Sequence, residues 1–147
     1  MIEIETKPWA EASAAAYAIR HAVFVEEQGI AEELEIDACD PIAEHALAFI
    51  DGQSVGTARV YLDGQDPSIA RIGRMAVLKA FRGQGIGTAL LGEVVRAGMI
   101  RGASVFELHA QQSAVPFYAK LQFKPSGVPF DEVGILHQRM HLRFAPP

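Results

Sequence analysis

The chain has 147 residues, half of them hydrophobic, and 13 Lys and Arg against 18 Asp and Glu give a net charge of −5. This length supports one domain with a single sizeable core, and the acidic balance argues against nonspecific nucleic-acid binding, which neutralises phosphates with clustered cations. No apolar run reaches the roughly 20 residues of a membrane span, residues 1 to 10 lack the basic and apolar regions of a secretory signal, and the single Cys39 excludes an internal disulfide framework and a multi-cysteine zinc site. A cytoplasmic protein without a metal centre is expected.

In chain order, residues 2 to 6 alternate as a strand and residues 10 to 22 form an alanine-rich helix. Trp9 reads as a packing residue beside that strand, and Phe24, between two valines, as buried. From residue 22 to residue 58 there is no Lys or Arg, yet nine acids occur, which leaves the remainder of the chain at +4. Such a split suits an electrostatic guide for a cationic partner, or simply a solvated acidic loop. Residues 45 to 50 and 53 to 62 are strand-like runs separated by Asp51-Gly52, a dipeptide suited to a tight hairpin turn, so they are expected to pair antiparallel. Residues 69 to 78 form the next strand.

Glycines 83, 85 and 87 follow, and then a helix whose apolar stripe is Ile86, Leu90, Val94 and Ala97, ending near Gly102. Glycines at a helix start allow close backbone approach, while the unpaired first-turn N–H groups and the helix dipole attract an anion. An NTPase phosphate loop would need Lys and then Ser or Thr after its last glycine, and Thr88-Ala89 does not supply them. A dinucleotide fingerprint fails too, since Thr88 or Leu90 falls where its third glycine belongs, although Glu107 lies at a ribose-binding distance downstream. What fits is R-x-x-G-x-G, as Arg82, Gly85 and Gly87. Beyond the helix come a strand at 105 to 110, then Gln111, Ala114 at plus three and Tyr118 at plus seven. Ser113 is placed to cap a short helix containing Pro116 and Tyr118. A last strand, 135 to 144, puts His137, Arg139, His141 and Arg143 on one face.

These motifs resemble those of the GNAT N-acetyltransferases, whose coenzyme A loop reads Q/R-x-x-G-x-G/A and is followed by Asn, Ala and Tyr at the same spacing. Residues 20 to 29 (RHAVFVEEQG), the Asp37, Asp40 and His45 segment and residues 134 to 140 (GILHQRM) are similar to the ElaA-like subgroup in particular. Gln111 in the Asn place and Gln122 before Phe123 depart from the pattern. The resemblance implies an α/β fold with a mixed, mostly antiparallel central sheet in which the two parallel central strands splay apart. It implies that acetyl-CoA lies in the gap. Its pantetheine arm would meet the main chain of Met75, Ala76 and Val77, and its diphosphate the stretch Arg82, Gly83, Gln84, Gly85, Ile86, Gly87 and Thr88. Gln111, Phe117 and Tyr118 would complete the cofactor site.

The implied chemistry is acyl transfer by direct attack of an amine on the thioester, with the Val77 N–H supporting the carbonyl oxygen and Tyr118 protonating the leaving thiolate. The base is open among His45, His109 and His137, or a Glu such as Glu27 or Glu33 acting through water. His137 is favoured by its place on the polar face. Arg20, Glu27, Gln28 and His137 are expected to face the acceptor, a small-molecule or peptide amine. Cys39, flanked by Asp37 and Asp40, is a poor thiolate. Two rivals stand beside this reading: transfer from a longer acyl-CoA, and a coenzyme A sensor that binds without turnover. Oligomeric state is open, a homodimer included.

Overall fold

The computed structural model describes residues 1–144. Eight strands make one sheet: β1 (Ile2–Pro8), β2 (Glu44–Ile50), β3 (Gln53–Leu62), β4 (Ile69–Val77), β5 (Val105–Gln111), β6 (Lys124–Pro125), β7 (Phe130–Glu132) and β8 (Ile135–Arg143). Their order is β1-β2-β3-β4-β5-β8-β6, with β7 also paired to β8, and only β4 and β5 run parallel. The anticipated hairpin is present, with Asp51 and Gly52 both at positive φ.

The helices cover the two faces. On β2, Ala46 and Ala48 belong to the main core, while Leu47 packs against Ala12 and Ala16 of α1 (Trp9–Arg20). The main core lies beneath α2 (Ile86–Ile100), whose Leu90, Leu91 and Val94 meet Val55, Val60, Phe106 and Leu108. Each fully buried aliphatic side chain here contributes about 1.5–3 kcal/mol. Two glycines set how close α2 lies: a Cβ on Gly98 would stand 2.5 Å from Phe106, and one on Gly56 2.9 Å from Leu90.

The parallel pairing is short. β4 and β5 are in register only from Ile69↔Val105 to Ile72↔Leu108, so the later halves of both strands separate. A bulge on β4 accompanies this opening, because Arg59 faces Gly73 and Thr57 faces Ala76, leaving Arg74 and Met75 opposite Ala58. Arg74 takes the left-handed conformation at φ 49°.

Some local expectations change. α1 runs on as a π-helical stretch, His21–Glu27. Ser113 does not cap α3 (Val115–Lys120): it lies in a 3-10 turn, Ala114 takes the cap position, and no side chain bonds the first turn. The short strands β6 and β7 were not anticipated. No helix among the described residues is long and apolar enough to cross a membrane.

Candidate active site

One cavity of about 940 Å³ opens where β4 and β5 diverge. Among its lining residues are Met75, Ala76, Val77, Arg82, Gly83, Gly85, Ile86, Gly87, Thr88, Gln111, Phe117 and Tyr118. Gln84 is in the loop but does not line the cavity. Gly83 and Gly85 adopt φ 80° and 83°, with open space where their Cβ atoms would be. At Gly87 a Cβ would come within 3.2 Å of Phe117. No side chain caps the start of α2, so its first-turn N–H groups stay available for an anion. The unpaired rim of β4, the open glycine loop and a volume near the upper end for ligand pockets together fit a long phosphorylated carrier.

Two contacts strap the end of the π-helical stretch across this groove. Glu27 accepts both terminal nitrogens of Arg82, at 2.6 and 2.7 Å, and Arg82 Nε donates to the Val77 carbonyl at 2.9 Å. The guanidinium holds the Glu27 carboxyl below its ordinary range. Glu27 therefore engages the glycine loop through Arg82 and does not line the cavity, contrary to its expected place beside the acceptor. Next to it, Gln28 and Gln111 exchange amide hydrogen bonds of 2.8 and 3.2 Å, and both reach the cavity.

Tyr118, carried by α3, is 9% exposed and touches Phe117 and Phe123 edge-on. Its hydroxyl donates only to Met75 Sδ, at 3.7 Å, and burial pushes its pKa up to about 12. It thus carries its proton at neutral pH. On β8, His137 lies opposite Gln111. Its ring is nearly buried, and Nδ1 donates to the Ile135 carbonyl at 2.7 Å. That bond fixes Nδ1 as the donor and leaves Nε2 without a hydrogen-bond partner among the described residues. Glu132, which no sequence motif marks, stands with Oε2 3.7 Å from that nitrogen and Oε1 2.9 Å from His109 Nδ1. Phe130 packs between both rings. Glu33, the other carboxylate considered as a base, does not line the cavity.

Two expected residues lie behind the site. Arg20 is 1% exposed and is bound by Glu35 and by Asp40, whose oxygens stand 2.8 and 3.0 Å away, so it has no group free for an acceptor. His45 is equally buried, stacks beside Trp9 and shares a 2.9 Å hydrogen bond between Nε2 and the Asp40 carbonyl. Burial lowers its pKa, and it does not reach the cavity. Neither can act on substrate from there. Around them, Arg59 from β3 binds Asp37 and Asp40, and Arg74 binds Asp37. Three arginines from other elements thus neutralise the centre of the acidic run and fasten it as a wall of the cavity. Burial alone would raise the Asp37 carboxyl, but Arg59, Arg74 and the Cys39 N–H bring it below its usual value. The spacing of charges in the sequence gave no sign of these partners, since Arg20, Arg59 and Arg74 come from three separate elements, Arg74 at a bulge.

A splayed parallel pair beside an uncapped glycine-rich helix start, with a phenol and an imidazole in the same cavity, defines the class of acyltransferases that the motifs resemble. The profile of the family described as Acetyltransferase (GNAT) domain matches residues 11–144. An acetyltransferase homologue from Bacillus subtilis strain 168, BSU40680, is 38% identical over 128 residues, 85% of each chain. The uncharacterized N-acetyltransferase YjcF of the same organism is 35% identical, covering 85% of this chain and 88% of its own. In three dimensions the fold superposes on Escherichia coli ElaA with a TM-score of 0.84 at 27% identity, covering 96% of this chain and 99% of that one. The chain belongs to the GNAT acetyltransferase family.

Proposed function

We propose that the protein is an acetyl-CoA-dependent N-acetyltransferase that modifies a primary amine by direct attack. The observation that carries this reading is the meeting of a protonated Tyr118 hydroxyl, the unbonded Nε2 of His137 and the open glycine loop around one cavity. When bound, the carrier supplies an activated thioester. His137 Nε2 takes the proton of the incoming ammonium, and the buried Tyr118 keeps a proton beside the leaving-group end. The α2 N–H groups orient the phosphates, with Arg82 held beside them by Glu27, and the splayed β4 main chain aligns the pantetheine arm as an added strand would. His45 is not part of this chemistry, being sealed behind the ion-pair cluster.

Thiol release from acetyl-CoA in the presence of amines tests the reading. Tyr118→Phe is expected to lower kcat by about a hundredfold while calorimetric affinity for coenzyme A is retained. Binding without turnover by the parent protein would instead identify a sensor. The cavity volume also accommodates a longer acyl group, and butyryl-CoA in the same assay measures that preference.

A further inference from the structure

Four carboxylates line the cavity: Glu35, Asp37, Glu107 and Glu132. Three are neutralised by guanidinium groups. Glu35 is bound by Arg20, Asp37 by Arg59 and Arg74, and Glu107 by Arg71 at 3.1 Å. Glu132 alone of the four has no Arg or Lys partner among the described residues, only the imidazoles of His109 and His137. The uncompensated negative charge of the cavity therefore sits beside His137 Nε2, which has no hydrogen-bond partner among the described residues.

We infer that Glu132 receives the acceptor as an ammonium ion and holds it against His137 Nε2, making the site selective for aliphatic cations over amines that carry a carboxylate. This rests on the acetyltransferase reading and names its substrate class. The geometry suits the role. His109 engages Glu132 Oε1 and leaves Oε2 to the ligand, 3.7 Å from Nε2. An ammonium nitrogen placed about 2.8 Å from each atom bridges that separation with two charge-assisted hydrogen bonds. Proton transfer breaks one acceptor N–H bond and forms Nε2–H, leaving the electron pair on the amine nitrogen. The resulting imidazolium lies against the Glu132 carboxylate, which stabilises it.

An acceptor carboxylate finds no counterpart. Arg59, Arg71 and Arg74 on the cavity wall are all held by the protein's own acids, and Arg82 is held by Glu27. Such a group would meet Glu132 as a like charge.

The test uses the full chain, acetyl-CoA and three acceptors of equal length: butylamine, butane-1,4-diamine and 4-aminobutanoate. The parent protein is expected to use 4-aminobutanoate at least about tenfold less efficiently, in kcat/KM, than the other two. Glu132→Gln is expected to raise KM for both cationic acceptors by about tenfold and to bring the gap below about threefold. Its coenzyme A affinity by calorimetry stays unchanged, and Glu132→Asp retains part of the selectivity. Turnover with the same selectivity in Glu132→Gln, or equal use of the three acceptors by the parent protein, overturns the inference alone. Coenzyme A binding without thiol release from any of the three overturns the acetyltransferase reading, and this assignment with it.

Discussion

Asp40 ties the acidic segment to the sheet, and replacing it with Asn removes its charge while conserving its shape. The carboxylate bonds Arg20 at 2.8 and 3.0 Å and Arg59 at 2.9 Å and is fully buried. Burial alone would raise its pKa, but the two guanidinium groups, helped by the Asp37 N–H, bring it from the usual 3.8 to about 2. At 1.36 kcal/mol per pH unit, that depression corresponds to about 2 kcal/mol of folding stability. Because the folded-state value is the lower one, the stabilisation is fully present above the unfolded value and is lost as pH falls through about 2. Asp40→Asn also leaves two buried cations short of a partner, and breaking buried pairs costs about 3–5 kcal/mol. Urea unfolding at neutral pH is therefore expected to give a loss of about 2–5 kcal/mol with an unchanged m-value. The gap between variant and parent narrows as the pH is lowered from about 4 toward 2. A variant as stable as the parent at neutral pH, or a gap that does not respond to acid, would refute the assignment of this stability to the ion pairs.

Gly98→Ala forces a methyl group to within 2.5 Å of the Phe106 ring, so thermal unfolding should show a loss of about 1–3 kcal/mol from overpacking. Gly85→Val puts a β-branched residue at φ 83°, where the loop distorts, and coenzyme A binding measured by calorimetry is expected to weaken at least about tenfold. Glu27→Gln frees the Arg82 guanidinium from its bidentate carboxylate; coenzyme A affinity should rise, and do so more at low ionic strength, while thermal stability barely moves because the pair is partly exposed.

Local signals in the sequence carried much of the fold. α2 was legible from both ends, because its apolar period, the glycines before it and Gly102 after it are all local. The same holds for the hairpin at Asp51-Gly52 and for β8, whose alternation is a local signal. Arg20 and His45 were misread because their neighbours in sequence say nothing of Asp40, Glu35 and Arg59 folding over them. Glu132 was missed for the opposite reason: a three-residue strand such as β7 is too short for periodicity, and its value comes from two histidines on other strands. The Ser113 cap failed because a 3-10 turn separates that residue from the start of α3.

The two halves of the cavity are built from different materials. On the proposed function, the carrier side is chiefly main chain: unpaired strand rim, glycine loop and helix N–H groups, which few substitutions alter chemically. The acceptor side is side chains, Glu132 and His137 among them, displayed on a hairpin at the carboxyl end of the chain. On that reading, exchange of that hairpin is expected to change the nucleophile while leaving the main-chain cradle for the carrier in place.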